Sequence, residues 1–146
     1  MSKELRRAIA LAAEGFEGTP FRHQGRVPGT GLDCGGVVVC AAWVAGLPFV
    51  DSKAYGRRPN PRRMIEVLER EMVRIDVEQA GDGDVLFFWF LAEHVPQHLG
   101  VLTTRKSRPH VVHAYDEIGK VVVVDRAAPD GPAGSVHSAW RYKGAL

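Results

Sequence analysis

The sequence predicts an α+β fold in which N-terminal helices pack on a small antiparallel sheet. Three observations carry that reading. Apolar residues recur at helical spacing in the first half, and the period changes to two after Asp82. In addition, a chain of 146 residues that is 45% apolar and 25% charged has the size and make-up of a domain with its own core. No repeat, linker or low-complexity tract divides the sequence, so residues 1–146 are read as one domain.

Ser2 is placed to cap a first helix, with Leu5, Ala8, Ile9 and Ala12 on one face and Gly15 as its stop. The glycine- and proline-rich stretch GTPFRHQGRVPGTGLD then reads as a loop. After it comes CGGVVVCAAWVAG, residues 34–46, whose valines favour a strand but whose length and alanines favour a buried helix; helix is the expectation. Residues 48–60 read as an exposed connection. Asn60 then caps a third helix with Pro61 in its first turn and Met64, Ile65, Leu68 and Met72 as its buried stripe. Beyond Asp82, DVLFFWF, HLGVLTT, HVVHAY and KVVVVD are four strand candidates with short polar breaks between them, which suggests an antiparallel meander.

Composition excludes several classes of function. A formal charge of +2 is too small to indicate a nucleic-acid binder. Two cysteines without a CxxC pair indicate neither a disulfide framework, nor a zinc site, nor a redox pair, so no metal or cofactor is expected. No stretch approaches the roughly 20 apolar residues of a membrane span. The apolar run Ala8–Ala13 is shorter than a secretory core, so the start reads as mature sequence without a signal peptide, made in the cytoplasm.

The chemistry gathers around GLDCGG. A helix starting at Cys34 would hold the thiol at a helix N-terminus, where unpaired N–H groups and the macrodipole favour a thiolate; the expectation is a lowered pKa. Gly35 and Gly36 are poor helix formers, and close approach of another backbone would account for them. The bland reading is a small buried hydrophobe in a tightly packed helix. A nucleophilic thiol needs a base, and the base needs an orienting partner. Six histidines are available. If residues 98–103 and 110–115 pair with Thr103 opposite His110, then His98 and His113 share a face, and Gly100 leaves room between their rings. His23, His94, His110 and His137 read as polar or structural residues, and Cys40 as core.

The segments GTPFRHQG, LDCGGVV, GDVLFF, HLGVL and VVHAY, in that order, resemble NlpC-type cysteine peptidases, which are papain-like cell-wall hydrolases. GTPFRHQG with the terminal AWRY is similar to the small peptidases of phage and gene-transfer-agent tail modules, and the likeness runs from about Gly18 to Trp140. The resemblance implies Cys34 as nucleophile, His98 as general base and His113 as its orienting residue. It implies that Asp33 helps hold a substrate amine. For the oxyanion, the Cys34 N–H offers one donor and Gln24 a second, although a loop glutamine also reads as a solvated residue. Phe21 stands where the family usually has a tyrosine whose hydroxyl lies near the nucleophile, and Gly35 where a serine often follows. The implied substrate is a peptidoglycan stem peptide, typically cut between D-glutamate and a diamino acid. The implied partners are phage tail-tip or hub proteins, which would carry the enzyme to the wall. Arg57, Arg58, Arg62 and Arg63 read as a solvated face, or as a contact for an anionic wall polymer or a neighbouring virion protein. Two other readings stay open: a structural tail protein that keeps the fold without activity, and a thiol amidase or acyltransferase.

Overall fold

The computed structural model describes residues 2–58, 60–90, 92–128 and 135–146. The first helix, α1 (Ser2–Glu14), buries Ile9, Ala10 and Ala13. A two-stranded ribbon, β1 (Arg26–Val27) and β2 (Gly31–Leu32), follows, and then α2 (Cys34–Val44). Every residue of α2 from Gly36 to Ala42 is buried. Being apolar all round, α2 shows no amphipathic period and belongs in the centre of the molecule. It packs on α1 and on the sheet.

The third helix, α3 (Pro61–Glu71), is capped by Asn60, whose side chain accepts from Arg63 N at 3.2 Å. Leu68 is its buried residue, while Met64 and Ile65 are half-buried. Met72 is buried too, but it opens a strand, β3 (Met72–Ile75), instead of completing a helical stripe. The connection before α3 is not uniformly exposed, since Phe49 enters the core and Trp43 Nε1 donates to its carbonyl at 3.1 Å.

The four anticipated strands are present as β4 (Val85–Phe88), β5 (His98–Arg105), β6 (Arg108–Tyr115) and β7 (Lys120–Asp125), joined as an antiparallel meander. A further strand, β8 (Val136–Tyr142), inserts between β3 and β4, giving a six-stranded antiparallel sheet of order β3-β8-β4-β5-β6-β7. Alternation sorts its side chains: Phe87, Val101 and Val112 face the helices, whereas Phe88, Leu102 and Val111 form a second cluster on the other side. Thr103 lies opposite His110, the register expected from the sequence. Buried Asp84, just before β4, is tied to β8 through two 2.9 Å bonds from the Arg141 guanidinium.

The glycines of CGG differ in what they do. A Cβ on Gly36 would lie 2.2 Å from the Gly25 carbonyl oxygen, so the ribbon can cross α2 only because position 36 is bare. A Cβ on Gly35 would meet nothing closer than 3.4 Å. Gly36→Ala should therefore lower stability by about 1–3 kcal/mol through overpacking, while Gly35→Ala leaves it unchanged; urea-unfolding midpoints of the two variants provide the comparison.

Candidate active site

Asp33 occupies the N-cap of α2 and organises everything near Cys34. One carboxylate oxygen accepts from Gly36 N and from the Arg26 guanidinium, both at 2.8 Å. The other accepts from Gln24 N at 2.8 Å and, through a short hydrogen bond, from the Tyr55 hydroxyl. Arg26 continues the network to Asp51 at 2.8 Å and to Tyr55 at 2.9 Å. Four donors fill the acceptor capacity of a carboxylate, which leaves Asp33 nothing to offer a substrate amine. The role expected of Asp33 is corrected accordingly: it anchors the helix start.

Gln24 is corrected in the same way. Its side-chain amide donates to the carbonyls of Lys53 and Tyr55, at 2.6 and 2.8 Å, and so pins residues 53–55 to the loop instead of pointing a donor at the cleft. Phe21 does line the cleft, with its backbone tied to Gly119 and Leu32.

The cleft holds about 350 Å³, and Cys34, Gly35, His98, Leu99 and Tyr55 are among its lining residues. Cys34 is half-buried at the first position of α2. The β5–β6 ladder runs from the Arg105–Arg108 pair to Val101–Val112 and stops, so Leu99 lies beyond its end. The backbone N–H groups of Leu99 and Gly35 are the donors that act on the Cys34 sulfur. These two donors favour the thiolate, but burial and then the Asp33 charge outweigh them and push the thiol up to about 11. The expected lowering by the helix terminus is thus reversed.

His98 begins β5 immediately before Leu99. Its Nε2 faces both carboxylate oxygens of Glu93, at 3.0 and 3.2 Å. Burial lowers its pKa below the ordinary histidine value, against the opposing pull of Glu93. At neutral pH Cys34 is a neutral thiol and His98 a neutral imidazole on the same cleft, which suits general-base chemistry.

His113 is fully buried and is not among the cleft-lining residues. Its ring packs against Phe88, Phe90 and Tyr115, with centroids 5.7, 5.9 and 6.3 Å away, and the same three rings surround His98. Gly100 serves this region differently from expectation, because a Cβ there would strike Val111 Cγ1 at 2.3 Å before it reached His113. Three participants escaped the sequence reading. Glu93 is a charge in the break before His98, Arg26 is a cation in a glycine-rich loop, and Tyr55 lies in a segment with no periodic signal. The isolated charges at 26 and 93 were the available clues. Of the four arginines, Arg57, Arg58 and Arg63 line the cleft, while exposed Arg62 lies 3.8 Å from Glu66.

No family model matches the sequence, and no curated protein matches it. Solved structures do. An NLP/P60 family protein similar to a lipoprotein, from Staphylococcus aureus, is 20% identical with a TM-score of 0.64, covering 95% of this chain and 41% of its own. An NlpC/P60 family protein from Bacillus cereus is also 20% identical, with a TM-score of 0.66 and coverage of 94% and 40%. The NlpC/p60 domain of the peptidoglycan hydrolase SagA is 21% identical over 92% of this chain and 96% of that domain, with a TM-score of 0.61. The chain thus spans about two fifths of the two longer proteins and nearly all of the isolated domain. The α+β, papain-like NlpC-type fold is the one expected from the sequence.

A neutral resting thiol has a kinetic signature. Iodoacetamide should alkylate Cys34 at about pH 6 no faster than a model thiol, with the rate climbing well into the alkaline range. Peptide mass spectrometry separates this from the buried Cys40, and rapid modification independent of pH would contradict it.

Proposed function

We propose that this chain is a cysteine peptidase of peptidoglycan stem peptides, with Cys34 as nucleophile and His98 as general base. The observation that carries the reading is that Cys34, at the start of α2, and His98, at the start of β5, line one cleft. The NlpC/P60 fold, shared with a domain of a peptidoglycan hydrolase, supports the substrate class.

The reaction begins with a neutral pair. As the sulfur attacks the amide carbonyl, His98 takes its proton, and the thiolate never accumulates in the free enzyme. The orphan N–H of Cys34, at the first turn of α2, faces the developing oxyanion; with Gln24 occupied elsewhere, this backbone donor carries that role. The imidazolium returns its proton to the departing amine, leaving a thioester. Neutral His98 then activates water for hydrolysis. His113 packs edge-on against Phe88 and tilted against Phe90, rings that also touch His98, and so backs the base from the adjoining strand.

Arg57, Arg58 and Arg63 have no ion-pair partner among the described residues and line the same cleft, so they can meet the carboxylates of a stem peptide, such as those flanking a bond between D-glutamate and a diamino acid. Delivery belongs to the proposal too: the likeness of GTPFRHQG and AWRY to phage tail-module peptidases supports synthesis in the cytoplasm and assembly into a tail, with tail-tip or hub proteins as partners.

Digesting purified peptidoglycan tests the activity. Wild type should release stem-peptide fragments identifiable by mass spectrometry, and Cys34→Ala and His98→Ala should each lower the rate by roughly a thousandfold or more. No fragments from wild type would favour a structural protein that retains the fold, and products joined at a different amide or ester would favour an amidase or acyltransferase. Finding the protein in purified phage particles would support tail delivery; its consistent absence from them would reject it.

A further inference from the structure

We propose that Glu93, in the loop between β4 and β5, is the positioning residue that fixes the tautomer and orientation of His98. This rests on His98 being the base of the hydrolase reading. Its geometric basis is separate, because the Glu93 carboxylate is itself held from several directions. Oε1 accepts from Phe90 N at 2.9 Å and Oε2 from the Gln97 side-chain amide, while the Glu93 N–H donates to the Phe90 carbonyl at 2.8 Å. The loop thereby closes on itself and presents a fixed anion to the ring. Both oxygens lie within 3.2 Å of Nε2.

An anion at Nε2 has a defined chemical effect. Ionised carboxylates only accept, so Nε2 must carry the proton of the neutral ring and Nδ1 must carry the lone pair. Nδ1 is then the atom that takes the thiol proton, and the imidazolium formed by that transfer is stabilised by the carboxylate at its far nitrogen. Without Glu93 the ring keeps its aromatic packing, with Phe90 at 4.6 Å and Tyr115 at 5.5 Å between centroids, but nothing in that packing selects a tautomer.

The other titratable or charged groups facing His98 do not replace this one. Glu117, on the turn beyond β6, acts on the ring through charge alone, and Tyr115 presents its ring edge-on. Cys34, a neutral thiol at the start of α2, lines the same cleft, and His113 packs against Phe88 and Phe90, rings that also pack against His98. Glu93 is the acid that both touches Nε2 and lines the cleft.

The test is an NMR titration of the His98 ring in wild type, Glu93→Gln and Glu93→Asp, with kcat/KM on peptidoglycan followed against pH in parallel. Glu93→Gln keeps the size of the side chain and removes its charge. The His98 pKa should fall by roughly one unit or more, the acid limb of the rate profile should move down with it, and Glu93→Asp should recover part of both. An unchanged His98 titration in Glu93→Gln, with a native amide spectrum, would overturn the proposal whether or not the protein digests peptidoglycan. If the titration moves while wild type is inactive on peptidoglycan, the hydrolase reading falls and the positioning role of Glu93 stands.

Discussion

The Asp33 carboxylate is the interaction on which the rest of the site depends. It is 4% exposed, and its donors come from three separate segments: the first turn of α2, the loop of residues 24–26, and Tyr55. An N-cap alone is worth about 1 kcal/mol. Hydrogen bonds to a charged group contribute about 1.5–3 kcal/mol each, so the other three donors count for more than the cap. The bare surface of Gly36 lets the Gly25 backbone come close enough for this convergence, and Gln24, held at a positive φ, donates its N–H to the acid. The peptide that carries Cys34 is therefore held from both sides by one buried anion.

That anchor has an electrostatic consequence for the sulfur it positions. A helix terminus stabilises an anion by about 0.3–1 kcal/mol near the surface. Burial can move a pKa by up to 3–5 units, each worth about 1.4 kcal/mol. When a negative charge on the neighbouring residue is added to burial, the terminus loses, and the thiol rises instead of falling. On the proposed mechanism, activation of the thiol has to come from a base at the moment of attack. This places the demand on His98, whose own pKa burial keeps low enough for the ring to be neutral at physiological pH.

What the sequence discloses follows from how local each signal is. The four meander strands, the Asn60 cap and the helical nature of α2 are written in period, length and a single side chain. The Thr103–His110 register follows from a short hairpin. β3 and β8 were not anticipated, because four residues directly after a helix and a polar VHSAWRY run give no alternation against a turn; they become strands only by pairing with each other and with β4. The candidate site divides in the same way. Cys34 and His98 stand out by residue type and neighbours. The saturation of Asp33, the diversion of Gln24 and the approach of Glu93 to His98 are tertiary facts, invisible until residues 24, 33, 53 and 55, or 93 and 98, are brought together.

The distribution of charge around the cleft separates two tasks. Its acids are largely committed: Asp33 to four donors, Asp51 to Arg26 and Glu93 to His98. Arg26 is committed as well, which leaves Arg57, Arg58 and Arg63 as cations without a protein counter-ion among the described residues, all of them before or within the first turn of α3. The proposed chemistry thus resides where the start of β5 meets the start of α2, on groups held by their neighbours. Free charge resides on the exposed side chains of Arg57, Arg58 and Arg63, whose partner has to come from outside. A ligand carrying carboxylates would supply counter-ions to these three guanidiniums, whereas a cationic one would find Asp33 already saturated by four donors. The sign of what enters the cleft is therefore set by which of its charges were left unspent by the fold.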